Sequence, residues 1–297
     1  MMSFNRALLS LMVVLFIGAA FLSASTQERE DQFIKANGLQ IHYVESGKGA
    51  PLILLHGGGL SLKSWSTFAP EAARHFRTIA IDSRGHGQTD NPTGKFNYDL
   101  MVEDVVAFIK VMRLEKPILC GFSDGGIIAL TLAKKYPQIP SALIIGAAAP
   151  VNEDHSHYFS GLKYFFLTDS RGTLTDADLN RIVAESPEMV DRYRNLHNRS
   201  GDPEYWRTLL KNVWPMWTSP LAYKKEDLVE VKMPVLVFLG DRDQFFTVEE
   251  GTKLFRMLSN AEIAIVPGAS HSFFREKSNL FNNLAQDFLL RQINHQK

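Results

Sequence analysis

The stretch ILCGFSDGGIIAL, residues 118–130, decides the fold of this chain. An apolar, strand-like run leads into a turn at Ser123, and an apolar run with helical spacing leaves it. Gly121 and Gly125 stand two residues before and after the serine, where a sharp strand-to-helix turn brings backbone segments too close for side chains. Such a turn sets the hydroxyl at a helix N-terminus, where free N–H groups and the helix dipole stabilise negative charge. The pattern predicts a nucleophilic serine, and an ordinary turn that contains a serine is the alternative.

Short apolar runs that alternate with helical patterns extend on both sides of this turn. Continuous apolar runs of this length are typical of strands buried on both faces. Their alternation with helices indicates right-handed crossovers and a mostly parallel sheet. Ahead of them, residues 33–44 alternate in polarity around an Asn-Gly pair at 37–38, which predicts a hairpin. Buried strands are predicted at residues 51–55, 78–81, 118–120, 142–146, 234–239 and 261–266.

The alternation stops at residues 151–232, a segment rich in aromatic and charged residues. We interpret it as a helical insertion that forms a cap over the end of the sheet. The core is then formed by residues 26–150 and 233–297. A core-facing stripe is predicted in the closing helix at Leu280, Leu284 and Phe288.

The composition excludes several classes of protein. A chain of 297 residues with 45% hydrophobic content buries a large core without disulfides or metals. Its 32 basic and 32 acidic side chains give zero formal net charge, so we expect no nucleic-acid partner. No dinucleotide or phosphate loop pattern follows a strand, and we expect no cofactor. His155 and His157 resemble a metal-binding pair but lack a third ligand nearby, so no metal site is predicted. Cys120, the only cysteine, is expected to be buried and inert.

The first 25 residues have the pattern of a secretory signal peptide. Arg6 precedes an apolar run at residues 7–22, and small residues follow at 23–25. The apolar run is shorter than the roughly 20 residues that a spanning helix needs, which favours a signal peptide over a transmembrane helix. After cleavage of this segment we expect no stable membrane span. We therefore expect an exported protein, periplasmic or secreted, and an uncleaved N-terminal membrane anchor is the alternative.

A serine nucleophile needs a base that takes its proton and an acid that orients the base. After a turn of this kind, the acid and then the histidine follow along the chain, each at the carboxyl end of a strand. His271 follows the last predicted strand across a turn of small residues and meets both conditions. Asp243 is the preferred acid, because the loop needs a few residues beyond its strand to bring a carboxylate behind the imidazole. Asp241 is the alternative and is expected to cap its own turn.

An oxyanion hole needs two backbone N–H groups directed at the developing charge. One is expected from Asp124, the residue after the nucleophile. The other is expected from the glycine loop after the first buried strand, at Gly58, with Gly59 as the alternative. The Asp124 side chain has two possible roles. Its carboxylate either binds a substrate ammonium group or takes part in the hydrogen bonds of the strand-to-helix turn at Ser123, which we call the elbow.

Four motifs in this order resemble the α/β-hydrolase superfamily of the capped type. They look most like the valacyclovir hydrolase and proline iminopeptidase branches. The resemblance implies an α/β-hydrolase fold, with a mostly parallel eight-stranded sheet, flanking helices and a helical cap inserted after strand 6. It implies Ser123 as nucleophile, Asp243 as acid and His271 as base. The motifs are HGGG at 56–59, DSRGHGQT at 82–89, GFSDGG at 121–126, and GDRD at 240–243 followed by SH at 270–271.

Together these expectations predict an exported serine hydrolase that cleaves a small-molecule ester, or an amide, through an acyl-enzyme. Dehalogenases and epoxide hydrolases of the family carry aspartate at the elbow, so Ser123 argues against their chemistry. Trp65 and Phe122 are expected to line the substrate pocket. Three alternatives stay open: a ligand-binding protein on the same scaffold, an aminopeptidase, and a hydrolase of carbon–carbon bonds. The oligomeric state is not predicted.

Overall fold

A computed structural model describes residues 30–151, 154–198, 201–219 and 221–294. The predicted signal peptide at residues 1–25 lies outside the described residues, so export stays a prediction. Within the described ranges, no helix combines the length and the apolar character that crossing a membrane requires.

Eight strands form a single sheet with the order β1-β2-β4-β3-β5-β6-β7-β8. They are β1 (Gln32–Ala36), β2 (Leu39–Ser46), β3 (Pro51–Leu55), β4 (Arg77–Ile81), β5 (Ile118–Phe122), β6 (Ala142–Gly146), β7 (Val235–Gly240) and β8 (Ala261–Val266). β3 to β8 are parallel, whereas β2 pairs antiparallel with both β1 and β4. The β1–β2 turn has positive φ at Asn37 (48°) and Gly38 (74°), as the Asn-Gly pair predicts. The predicted fold class is confirmed.

Helices cover both faces of the sheet. They are α1 (Ala69–Ala72), α2 (Tyr98–Val111), α3 (Asp124–Lys135), α4 (Ser156–Phe166), α5 (Asp176–Glu185), α6 (Pro187–Leu196), α7 (Tyr205–Thr218), α8 (Val248–Met257), α9 (Phe273–Glu276) and α10 (Ser278–Asn294), with 3₁₀ turns at Leu62–Trp65 and Lys225–Leu228. Ile53 and Leu55 of β3 join the core beneath α2 and α3, while Leu52 and Leu54 join the core beneath α1 and α10. Because both faces are buried, the central strands are continuous apolar runs.

The closing helix α10 is rotated relative to its predicted stripe. Leu280 and Leu284 are 39% and 40% exposed, so the prediction that they face the core is wrong. Each residue of an α-helix advances by about 100°, so side chains spaced by four are rotated about 40° from one another. A series with this spacing therefore does not stay on one face of the helix. Phe288, the third residue of the predicted stripe, is 1% exposed, so the prediction holds for this residue. The residues that fill the core are Phe281, Ala285, Phe288 and Leu289.

Four helices, α4 to α7, lie between β6 and β7 and form the cap. Buried hydrogen bonds join the cap to the core, and two of them lie next to Ser123. Trp217 of α7 donates a hydrogen bond from Nε1 to Asp124 Oδ2 over 2.7 Å. Nε2 of His197, the residue that follows α6, lies 3.1 Å from the carbonyl oxygen of Gly59. The cap is therefore attached beside the two loops that carry the candidate site.

Candidate active site

The turn between β5 and α3 places Ser123 in the left-handed region, with φ 52° and ψ −119°. The neighbouring backbones are too close for side chains at the two flanking glycines. A Cβ at Gly121 would lie 2.1 Å from the Gly125 carbonyl oxygen, and one at Gly125 would lie 2.1 Å from the Leu55 carbonyl oxygen. The Ser123 amide donates to Gly146 over 2.8 Å. The strained backbone is thus fixed by tight packing, as is common at functional sites.

The structure brings Ser123, Asp243 and His271 together. Ser123 Oγ lies 3.0 Å from His271 Nε2, and His271 Nδ1 lies 2.9 Å from each carboxylate oxygen of Asp243. The Asp243 side chain has no exposed surface, and its Oδ1 also accepts hydrogen bonds from the amides of Phe245 and Phe246. This order of contacts orients the imidazole with Nε2 toward the serine.

Asp241, the alternative acid, joins two loops and does not cap its own turn as expected. Its Oδ1 accepts a hydrogen bond from the Ala269 amide over 3.2 Å, and its own amide donates to Val266. This bond ties the loop after β7 to the loop that carries His271. Asp241 therefore stabilises the loop that carries His271 and does not contact the imidazole.

Aromatic rings surround the imidazole of His271. The ring centroids of Phe122 and Phe245 lie 5.1 Å and 4.5 Å away, and Phe246 is stacked at 6.3 Å. Apolar neighbours of this kind exclude water and strengthen the charge interaction between imidazole and carboxylate. The expected position of Phe122 beside the substrate pocket agrees with the structure, because this ring also lines the cavity at Ser123.

Two backbone amides next to Ser123 are unused. In the ranges that the structure describes, the N–H groups of Gly58 and Asp124 donate to no protein acceptor. The Gly59 amide, the alternative donor, instead donates to His86 Nε2 over 3.1 Å. A Cβ at Gly58 would lie 2.4 Å from the Trp217 ring, so only glycine fits there. The arrangement leaves Gly58 and Asp124 as the pair of candidate donors.

The Asp124 carboxylate is held by two side chains that sequence reasoning missed. Tyr98 Oη donates to Oδ1 over 2.8 Å, and Trp217 Nε1 donates to Oδ2 over 2.7 Å. The side chain is buried, and burial raises the pKa of this carboxyl group. Asp124 therefore binds groups from α2 and α7, which neither sequence-based alternative included. No local signal identifies Tyr98 or Trp217, because both reach Asp124 only through the tertiary fold.

Three buried histidines fix the glycine loop, and these were also missed. His86 accepts from Gly59, and His56 Nε2 accepts from the Ser83 amide over 3.0 Å. His197 Nδ1 accepts from the Gly87 amide over 2.9 Å, while its Nε2 donates to the Gly59 carbonyl. Burial lowers the pKa of all three imidazoles, that of His197 to about 4. The loop next to Ser123 thus depends on neutral histidines, one of them contributed by the cap.

This dependence predicts a loss of stability in weak acid. His197 binds fewer protons in the folded chain than in the unfolded chain between its unfolded pKa of 6.5 and its folded pKa of about 4. Its contribution is complete above pH 6.5 and is lost as the pH falls. We expect the preferential protonation of His197 in the unfolded chain to lower the unfolding free energy by about 2 kcal/mol when the pH falls from 7.5 to 5.

Urea unfolding at both pH values tests this prediction with the variant His197→Asn. The variant should lose about 2 kcal/mol less than the wild type over this interval, because the histidines at 56 and 86 and the carboxylates titrate in both proteins. His75→Asn, at an exposed position, is the matched control and should follow the wild type. An identical pH dependence in the wild type and His197→Asn would contradict the prediction.

The candidate site opens into a cavity of about 180 Å³ between the core and the cap. Most of its walls are apolar. Trp65 does not line it, so this sequence-based expectation is wrong. The Trp65 ring is 1% exposed and packs against the rings of Phe68, Phe274 and Phe281 on the α10 face of the sheet. The apolar residues that line the cavity are Leu60, Phe122, Tyr158, Leu162, Phe165, Phe166, Met189, Tyr193, Trp217 and Phe245.

Comparison with known proteins agrees with this architecture. The chain is 30% identical to 2-hydroxy-6-oxo-6-(2'-aminophenyl)hexa-2,4-dienoic acid hydrolase from Metapseudomonas resinovorans, over 88% of this chain and 91% of that protein. It is 24% identical to the human serine hydrolase BPHL, over 91% of this chain and 89% of that one. A meta-cleavage product hydrolase structure from Pseudomonas fluorescens has the same fold, with a TM-score of 0.73, 22% identity and coverage of 88% and 97%. The family model for the alpha/beta hydrolase fold matches residues 50–278, and the chain therefore belongs to the α/β-hydrolase family.

Proposed function

We propose that this chain is a serine hydrolase that cleaves a carboxylic ester of a small molecule through an acyl-enzyme. The observation that carries the proposal is the chain of contacts from Ser123 Oγ to His271 Nε2, at 3.0 Å, and on to buried Asp243. A receptor on this scaffold needs a cavity but has no use for a serine, a base, an acid and two free amides around one point. Export through residues 1–25 is part of the proposal and rests on the sequence.

In the first half-reaction, Ser123 Oγ attacks the ester carbonyl carbon while His271 Nε2 takes the serine proton. Asp243 stabilises the imidazolium. The carbonyl oxygen becomes an oxyanion that accepts hydrogen bonds from the amides of Gly58 and Asp124, and the loss of one donor of this kind typically costs about 3 kcal/mol. The alcohol then leaves with the proton from Nε2.

In the second half-reaction, water attacks the acyl group on Ser123. His271 Nε2 takes a proton from the water, and the same two amides stabilise the second oxyanion. Collapse releases the carboxylic acid and returns the proton to Ser123 Oγ. Each half-reaction thus uses one proton transfer to His271 Nε2 and one from it, and water is the second reactant.

The cavity suggests a compact substrate. Its volume of about 180 Å³ is below the roughly 300–1,000 Å³ that is usual for drug-sized ligands. Aromatic walls favour an apolar segment, either in the acyl part or in the alcohol part. We therefore expect short to medium acyl chains to react faster than long ones.

Hydrolysis of a carbon–carbon bond with the same three side chains is the second candidate. The observation in its favour is the similarity to the dienoic acid hydrolase from Metapseudomonas resinovorans. Amide hydrolysis is a further variant of the same chemistry. Both reactions begin with the same serine and base, so substrate testing separates them.

The test is a panel of 4-nitrophenyl esters from acetate to decanoate, the 4-nitroanilides of the same acids, and a 2-hydroxy-6-oxo-dienoic acid. We expect the shorter esters to give the highest kcat/KM, together with a pre-steady-state burst of about one nitrophenol per enzyme, the kinetic sign of an acyl-enzyme that is hydrolysed more slowly than it forms. A higher kcat/KM for the dienoic acid would support the carbon–carbon candidate. No turnover of any compound, with bound ligand retained, would support a receptor and overturn the proposal.

A further inference from the structure

Two arginines from different parts of the fold line the cavity at Ser123. Arg192 belongs to α6 of the cap, and Arg275 belongs to α9, four residues after His271. Both side chains are exposed, so they line the part of the cavity that is open to solvent, its mouth. Within the described ranges, neither guanidinium is in an ion pair or a hydrogen bond.

The acidic side chains nearest in sequence are bound to other partners. Asp191, next to Arg192, lies 3.3 Å from Arg194. Glu276, next to Arg275, accepts a hydrogen bond from the Ser270 amide over 2.9 Å and another from the Ser270 hydroxyl. The carboxylates adjacent to the two arginines are therefore engaged elsewhere, and Glu188, one turn before Arg192 in α6, forms no ion pair with it among the described residues.

Negatively charged groups are scarce among the described residues that line the cavity. Asp124 is the one carboxylate among the described residues that line it, and this side chain is 3% exposed. Both of its oxygens accept hydrogen bonds, from Tyr98 and Trp217. The cavity thus has an enclosed, hydrogen-bonded carboxyl group at its inner end, apolar walls, and two open guanidinium groups at its entrance.

We infer that the substrate carries a carboxylate at the end remote from the scissile ester, and that Arg192 and Arg275 bind it. This inference rests on the proposed function and adds the substrate class. Guanidinium groups bind carboxylates through paired, charge-assisted hydrogen bonds. The spacer between carboxylate and ester lies along the apolar walls, at Phe165 and Met189. A positively charged entrance also raises the association rate of anions.

Hydrolysis of mono-4-nitrophenyl adipate, which ends in a free carboxylate, and of its methyl ester, which is neutral, tests the inference. Release of nitrophenol reports the same bond in both compounds. The wild type should hydrolyse the free acid with a kcat/KM at least tenfold higher, mainly through a lower KM. This preference should decrease as sodium chloride is raised, because salt screens exposed charges.

The variants Arg192→Gln and Arg275→Gln should each reduce the ratio of kcat/KM for the free acid to kcat/KM for the methyl ester at least threefold. Arg256→Gln is the matched control, since Arg256 is an exposed arginine on α8 outside this cavity. It should keep the wild-type preference. An equal or lower kcat/KM for the free acid, or a preference unaffected by both arginine variants, would overturn the inference.

A binding measurement separates this inference from the proposed function. Calorimetric titration of Ser123→Ala with adipate requires no turnover. We expect binding that is weakened at least threefold when Arg192→Gln or Arg275→Gln is added, and unchanged when Arg256→Gln is added. Binding of adipate without ester turnover by the wild type would refute the hydrolase and retain the anion site. Turnover of esters without adipate binding would refute the anion site alone.

Discussion

Replacement of Ser123 by alanine should lower kcat/KM for the best ester of the panel by about 10⁴-fold or more, as in other serine hydrolases that lose their nucleophile. The reason is that Ser123 Oγ is the only atom of the site that would form a bond with the acyl carbon in the proposed mechanism. The imidazole 3.0 Å away has no proton to take once the hydroxyl is absent. Residual activity would come from binding and from the two amide donors.

The three side chains should behave as one unit in this experiment. His271→Ala and the double variant should each lose about as much activity as Ser123→Ala, because each lacks the same proton transfer and losses within a triad are not additive. Ser66→Ala, at an exposed position after the first 3₁₀ turn, should retain wild-type activity. Ser123→Ala with more than one hundredth of the wild-type kcat/KM would refute Ser123 as the nucleophile.

Replacement of Gly125 by alanine should unfold or strongly destabilise the protein. The new methyl group would lie 2.1 Å from the Leu55 carbonyl oxygen and 2.8 Å from that of His56. Both atoms are backbone, so the collision is relieved only if β3 and the following glycine loop move. We expect a loss of at least about 3 kcal/mol and a decrease in Tm on the order of 10 °C.

Thermal unfolding followed by circular dichroism measures this effect. Gly172→Ala is the control, because Gly172 has open space around it and a positive φ of 90°. Alanine there is strained only by the left-handed backbone, which costs about 1–2 kcal/mol. Gly125 has no such φ, so any excess loss in Gly125→Ala reports the steric contact between α3 and β3. A Tm for Gly125→Ala within two degrees of the wild type would contradict the predicted collision.

The parts of the fold that sequence predicted are those that depend on local patterns. The strands were recognised because a strand buried on both faces must be apolar throughout, as β3 and β5 are. The elbow at Ser123 was recognised because its tight turn admits only glycine at two fixed positions. Asp243 and His271 followed from the order of loops at the carboxyl ends of parallel strands, which one sheet brings to a common edge.

The errors concern directions that no local pattern fixes. Trp65 packs under α10, away from the cavity, against the nearby ring of Phe68 and the rings of Phe274 and Phe281 from α9 and α10. α10 is rotated so that Phe281 faces the core, and of the predicted stripe at Leu280, Leu284 and Phe288 only Phe288 is buried. In both cases contacts with residues far along the chain help to set the direction, and the sequence near the residue is compatible with either one.

Sequence by itself therefore determined the α/β architecture and the cap insertion. It also identified Ser123, Asp243 and His271, which the structure places in contact. Tertiary structure alone decided what surrounds them. It joined Trp217 and Tyr98 to the Asp124 carboxylate, set His197 of the cap against Gly59, and left Arg192 and Arg275 open at the entrance. The physical reason is that backbone geometry and hydrophobic periodicity are encoded within a few residues. A hydrogen bond or an unpaired charge is instead defined by which distant side chains the packed fold brings within a few ångströms of each other.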